Sequence, residues 1–266
     1  MAHIVLTRPA GQSMRLAEML HQRLPKLQQI QLPLLSIVPN EDPKDAQRLI
    51  NLLPQIDLAI FVSPNAVECT MRMLKSEWPK NVEIGVVGGG SILALKNHGM
   101  TSEAGYQIHA PAHAAEWDSE GLWKVLTQAD SLNSWRNKKV LFLKGLGGRA
   151  WLSEQMLMQG ADIYSIETYR RIPLESDSPL WSNLAQAPAS KSLCILTSSE
   201  ATQHFAGTLE ANPSWGMLWK AEATFLCAHP RIAEVACQLG FKKVDGCLAG
   251  DDNLLIQIEH WWNQLQ

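Results

Sequence analysis

Ile4-Val5-Leu6-Thr7-Arg8 near the start of the chain is answered, about one half-length later, by Val140-Leu141-Phe142-Leu143-Lys144. Each is a short apolar run that ends on a cation and is followed by a small-residue turn and an apolar-periodic segment. Runs of four to six Ile, Val, Leu and Phe residues are what strands buried on both faces look like. Outward from this pair the same order recurs. The β-prone stretches 29–39 and 163–173 correspond, as do Ala59-Ile60-Phe61-Val62-Ser63-Pro64-Asn65-Ala66 and Cys194-Ile195-Leu196-Thr197-Ser198-Ser199-Glu200-Ala201. Residues 84–99 answer to 225–240, and Gln107-Ile108-His109-Ala110 with the helix after it to 244–249. Buried strands alternating with helices imply parallel sheets with helices on their faces. A pattern written twice implies an α/β protein of two similar lobes, each a parallel β-sheet flanked by helices, with a cleft between them.

The stretches 29–39 and 163–173 break the alternation: both are long and β-prone, and they end on Pro39 and Pro173. If each runs from one lobe into the other, the lobes exchange their first βα units and are joined by two β-strand linkers, which still let them rock. The division expected is 1–38 plus 172–266 for one lobe and 39–171 for the other.

Composition narrows the partners. The chain has 266 residues, an apolar share of 46% and a net charge of −3, so nothing basic points to nucleic acid. Its apolar runs stop short of a bilayer span, and Met1-Ala2-His3-Ile4 runs straight into a strand. The expectation is therefore a cytoplasmic protein that engages no membrane and acts as a monomer. Five cysteines without a C-x-x-C pair indicate neither a disulfide framework nor a zinc site, and are expected to be buried or half-buried thiols. The eight histidines show no metal-binding spacing, so no metal is expected.

In open parallel sheets, ligands bind beyond the carboxyl ends of the strands. Here those ends carry Thr7-Arg8-Pro9, Ser63-Pro64-Asn65, Val87-Gly88-Gly89-Gly90-Ser91, Lys144-Gly145-Leu146-Gly147-Gly148-Arg149, Ser198-Ser199 and His229-Pro230-Arg231. Small residues, hydroxyls, Arg and Lys dominate, and carboxylates are few. Such a rim suits an anionic ligand, above all one with several carboxylates, held partly by backbone N–H groups at helix starts. Plainer readings compete. Ser63 and Ser198 are good helix N-caps and lack the G-x-S-x-G setting of a hydrolase. Gly88-Gly89-Gly90 lacks the third spaced glycine and acid of a dinucleotide site, and the loop ending in Arg149 lacks the Gly-Lys-Ser/Thr of a phosphate loop. The ten tryptophans read as packing residues. Tyr169, one of three tyrosines, stands in a linker strand.

Five ordered segments resemble the uroporphyrinogen-III synthase family. They are the opening Ile4-Val5-Leu6-Thr7-Arg8-Pro9-Ala10-Gly11-Gln12, Phe61-Val62-Ser63-Pro64-Asn65-Ala66-Val67, Lys144-Gly145-x-Gly147-Gly148-Arg149-x-x-Leu152, Gly160-Ala161-Asp162 through Tyr169-Arg170-Arg171, and His229-Pro230-Arg231-Ile232-Ala233 to Gly240 with Asp252-Asn253-Leu254-Leu255. Lys144 stands where the family usually has Arg, and Gly90-Ser91 where Thr is commoner. The resemblance implies a cofactor-free, cyclising hydro-lyase of tetrapyrrole (haem) biosynthesis. Its substrate, hydroxymethylbilane, is a linear tetrapyrrole with an acetate and a propionate on every ring. Loss of its hydroxyl as water leaves an azafulvene on the first ring; attack by the substituted α-carbon of the last ring, ring D, gives a spiro intermediate that recloses with ring D inverted, as uroporphyrinogen III. Uncatalysed closure gives the type I isomer. The family's tyrosine maps onto Tyr169, as the acid beside the departing hydroxyl. Arg8, Lys144, Arg149 and Arg231 are implied to meet substrate carboxylates, with Ser63, Asn65, Gly88, Ser198 and Ser199 as hydrogen-bonding partners. The competing expectation is a non-enzymatic two-lobed binding protein for a small anionic ligand.

Overall fold

Strand β1 (His3–Leu6) faces apolar packing on both sides. Ile4 and Leu6 point into a cluster with Leu16 and Leu20 of helix α1 (Ala10–Arg23) and Leu254 and Ile258 of α11 (Asp251–Gln264). Val5 points the other way, among Phe205 of α8 (Ser199–Ala211), Trp219 of α9 (Pro213–Glu222) and Phe225. A strand so placed has no solvent face, which is why its sequence is continuous Ile-Val-Leu rather than alternating. On either side β1 pairs in parallel with β2 (Gln28–Gln31) and β9 (Ser192–Leu196). The five-stranded sheet runs β11 (Lys243–Gly246), β10 (Thr224–Cys227), β9, β1, β2, with every one of these pairs parallel.

The second sheet repeats this logic around β7 (Lys139–Gly145). Val140 and Phe142 join Leu122 and Leu126 of α5 (Ser119–Gln128) and Leu152 and Met156 of α6 (Trp151–Met158). Leu141 and Leu143 enter the opposite cluster with Phe61, Val67 and Leu95. The order is β3 (Leu35–Pro39), β8 (Asp162–Pro173), β7, β4 (Leu58–Phe61), β5 (Glu83–Val86), β6 (Ile108–His109), and the pairs from β8 to β6 are parallel. The fold is therefore α/β, with two helix-flanked, mostly parallel sheets.

A computed structural model describes residues 1–129 and 134–265 of the chain. It divides into two units, Met1–Ser36 with Ile172–Gln266, and Ile37–Arg171, so that the boundaries fall inside β3 and inside β8. The stretch 29–39 is not one strand. It breaks at Leu32-Pro33-Leu34 between β2, in the first sheet, and β3, in the second. Pro33 has no N–H to give a ladder, while the amides of Leu32 and Leu34 on either side of it donate to the carbonyls of Leu6 and Thr7. Residues 163–173, by contrast, lie within the single long strand β8.

Register brings the strand ends level. Phe61 stands opposite Leu143 and Val86, and Leu143 opposite Ile166. In the first unit Leu6 stands opposite Ile195, and Ile195 opposite Leu226. The segments that follow these residues consequently emerge at one edge of their own sheet.

No helix among the described residues is long and apolar enough to cross a membrane. Cys69, Cys194 and Cys227 are buried and Cys247 is half-buried, but Cys237, near the end of α10 (Pro230–Gln238), is exposed, against expectation. It lies on the outward side of a helix whose inward side carries Ile232 and Ala236. Burial pushes the thiols of Cys227 and Cys247 up to about 12 and about 11, and those of Cys69 and Cys194 also upward. At pH 8 in the native protein, Cys237 should therefore be the one thiol that reacts rapidly with a disulfide reagent, the other four reacting only on unfolding. Rapid native titration of two or more thiols would contradict this burial pattern.

Candidate active site

In the unit Ile37–Arg171 the site is built around Tyr169. The β7–β8 ladder is regular through Lys144 opposite Glu167, and Gly145 then stands opposite Tyr169, which leaves Thr168 as an extra residue. This is a β-bulge, a device that re-aims the side chain after it. The Thr168 hydroxyl donates to the Lys144 carbonyl at 3.3 Å, and the Leu146 amide to the Tyr169 carbonyl at 2.9 Å. Strict alternation would put Tyr169 on the side of exposed Glu167. The bulge puts it instead on the side of Ile166, in the same buried cluster.

The Tyr169 ring is only 4% exposed, and three neighbours fix it. Its hydroxyl lies 3.0 Å from Ser63 Oγ, a bond in which either group can be donor. Ser63 also caps α3 (Pro64–Leu74), its Oγ accepting from the Ala66 amide at 3.1 Å. The Arg171 guanidinium sits 5.8 Å from the ring centroid and donates to the Leu146 carbonyl at 3.0 Å. Finally, Gly145 leaves room for the ring, since a Cβ there would come within 2.6 Å of it. Tyr169 lines a cavity of about 490 Å³ with Pro39, Asn40, Leu146, Glu167 and Arg170. A larger, open hollow of about 940 Å³ reaches one proposed site residue, Asn65, and is otherwise lined by residues such as Glu68, Arg72, Lys75 and Trp78. The smaller cavity is the one that Tyr169 lines.

The remaining residues of this unit lie along the same sheet edge. Asn65 is in the first turn of α3, and Lys144 is half-buried near the end of β7. Gly88 precedes α4 (Gly89–Asn97). It and Gly89 are glycines because Trp117 packs on them: a Cβ would come within 3.0 Å of the indole side chain at Gly88 and 2.3 Å at Gly89. Arg149 is exposed and held by Glu120 of α5 through contacts of 2.5 and 3.3 Å.

In the other unit, Arg8, Ser198, Ser199 and Arg231 occupy the corresponding edge. The Thr7 hydroxyl donates to the Ile195 carbonyl and so ties the ends of β1 and β9. Ser198 caps α8, accepting from the Ala201 amide at 3.4 Å, and Ser199 opens the helix. His229 Nδ1 accepts from the Arg231 amide at 3.1 Å at the start of α10. Arg8 does not stand open: it pairs with Asp251 at 2.5 Å, and the two side chains are only 16% and 12% exposed.

The structure thus places six of the ten predicted residues on one sheet edge and four on the other. Sequence reasoning missed Asp251 and Glu120 as partners of Arg8 and Arg149, because both acids read as ordinary helix starts. It also missed Arg171 and the role of Gly145; the signal was there in the Tyr169-Arg170-Arg171 run and the glycine ending β7. Among the described residues no group of histidines, cysteines and carboxylates is placed to hold a metal ion.

A sequence model described as uroporphyrinogen-III synthase HemD matches residues 15–245. The chain belongs to the uroporphyrinogen-III synthase family. It is 25% identical over 260 residues to the uroporphyrinogen-III synthase of Escherichia coli strain K12, covering 96% of this chain and 98% of that one. The Salmonella typhimurium LT2 enzyme of the same name is 26% identical over 261 residues, with the same coverage. In fold, the chain is similar to a mutant uroporphyrinogen III synthase from the extreme thermophile Thermus thermophilus, with a TM-score of 0.66 at 13% identity over 100% of this chain and 99% of that one. The Helicobacter pylori 26695 enzyme gives 0.53 at 18% identity, over 93% and 92%. Family membership makes the chain a cyclising lyase of tetrapyrrole biosynthesis and sets aside the non-enzymatic binding protein.

Because Gly145 makes room for the Tyr169 ring, Gly145→Ala should overpack the site and lower stability by about 1–3 kcal/mol. Urea denaturation measures this, and an unchanged midpoint would show that the ring is not confined by β7.

Proposed function

We propose that the chain closes hydroxymethylbilane to uroporphyrinogen III with Tyr169 as the acid that assists departure of the hydroxyl. The observation that carries this reading is the phenol held 3.0 Å from Ser63 after the Thr168 bulge, in a residue that lines a cavity at the carboxyl edge of its sheet. A phenol is protonated at neutral pH and can give its hydrogen to the leaving oxygen. Ser63 Oγ, 3.0 Å from the phenol oxygen, is within reach to pass a proton to or from it, and the Arg171 guanidinium packs beside the ring. The hydroxyl leaves as water and the first ring becomes an azafulvene. The substituted α-carbon of ring D attacks it, and the spiro intermediate breaks and recloses with ring D inverted.

Selectivity rests on holding the folded substrate. A tenfold preference for the type III over the type I isomer needs only about 1.4 kcal/mol between the two transition states. Orientation of reacting carbons can supply that without a dedicated acid or base. The holding groups we propose are Arg8, Lys144, Arg149 and Arg231, with the hydroxyls of Ser63, Ser198 and Ser199, Asn65, and backbone amides at the helix starts, including the turn at Gly88. With an acetate and a propionate on each of four rings, the substrate has enough carboxylates for several of these contacts at once.

The test is to incubate the pure, chelator-treated protein with hydroxymethylbilane and no nucleotide, then separate the oxidised products by isomer. Type III should predominate; a product that stays type I, or activity that requires added metal, would refute the reading. Because the azafulvene forms readily, Tyr169→Phe should lower turnover about 100-fold, the low end of general acid catalysis, while the residual product remains mainly type III. Turnover equal to wild type would remove the acid role, and chiefly type I product would move the steering onto this one residue.

A further inference from the structure

The two units share an arrangement that the reaction does not require. In each, the helix following the central strand packs against the helix that closes the repeat: α1 against α11, and α6 against α5. In each, an arginine entering the first helix meets a carboxylate in the first turn of the second, Arg8 with Asp251 and Arg149 with Glu120. The settings differ sharply. The Arg8 and Asp251 side chains are 16% and 12% exposed, whereas those of Arg149 and Glu120 are 46% and 43% exposed. An ion pair with that much water around it is weak and exchanges readily, and a shielded one is held. Arg149 has a second support, since its guanidinium lies 6.0 Å from the Trp151 ring centroid, so it is not released when Glu120 lets go.

We infer that Glu120 is a displaceable counter-ion, which occupies Arg149 in the empty protein and yields it to a substrate carboxylate. The inference rests on the substrate proposed above. Ring closure removes the hydroxyl and leaves every acetate and propionate in place, so substrate and product present the same carboxylates. Contacts to them strengthen ground state, transition state and product alike and add nothing to the chemical step. A rim of uncompensated arginines would therefore hold product as firmly as substrate. An internal carboxylate that competes for Arg149 weakens both equally and lets product leave.

The experiment uses the full-length chain at fixed ionic strength, with uroporphyrinogen III as product inhibitor of the hydroxymethylbilane reaction. Glu120→Gln should lower both KM and the product inhibition constant by about two- to fivefold, the range expected when one exposed ion pair no longer competes. Arg149→Ala should raise both, and adding Glu120→Gln to Arg149→Ala should change neither. That cycle separates a local counter-ion from a general change in net charge. An inhibition constant that is unchanged or raised in Glu120→Gln overturns the inference, as does an equal drop in the absence of Arg149. Wild-type protein that makes no type III isomer would instead overturn the underlying reading, and the same assay reports this first.

Discussion

Burial of the central strands on both faces is the constraint from which the rest of the structure follows. Ile4, Val5 and Leu6 of β1, and Val140, Leu141, Phe142 and Leu143 of β7, are between 0 and 6% exposed. No polar side chain can be carried along such a strand without an unmet desolvation cost. Chemistry is therefore expelled to the strand ends, and the level parallel register sets the carboxyl ends of each sheet side by side. That is where Arg8, Ser198 and Arg231 lie in one unit and Ser63, Lys144 and Tyr169 in the other.

Much of this was legible in the residues. Apolar runs followed by helical segments named β1, β4, β7, β9 and β10, and the α/β class with them, because a doubly buried strand must be apolar along its whole length. Ser63 and Ser198 read correctly as caps, since capping is settled within three residues of sequence. What could not be read depends on distant partners. The bulge at Thr168 exists only against β7, so alternation along β8 alone assigns Tyr169 to the wrong face. The Arg8–Asp251 pair joins residues 243 apart, and Arg149–Glu120 residues 29 apart. Local composition made the strand ends look like an uncompensated cationic rim, and the folded helices bring two acids to it. Pro33 was visible, but that it divides one β-prone stretch between two sheets is a matter of pairing.

On the reading proposed above, the exposed Arg149–Glu120 pair and the buried Tyr169 of the same unit do different work. The pair would concern affinity, which is shared by substrate and product, and Tyr169 the leaving group, which only the substrate has. The bulge, Gly145 and Ser63 confine one hydroxyl within hydrogen-bonding distance of another, as that proposed second task requires. Groups that act on binding and groups that act on bond breaking should therefore separate in kinetics, the first in KM and product inhibition and the second in turnover.

The central claim, that Tyr169 protonates the departing oxygen, is tested most directly by changing what departs. Single-turnover rates of wild type and Tyr169→Phe should be compared on hydroxymethylbilane and on an analogue whose terminal hydroxyl is replaced by acetoxy, which leaves without a proton. On this account the loss caused by removing the phenol is large for the hydroxyl substrate and shrinks to near nothing for the acetoxy analogue. An equal loss on both substrates would contradict it and leave Tyr169 as a residue of shape alone.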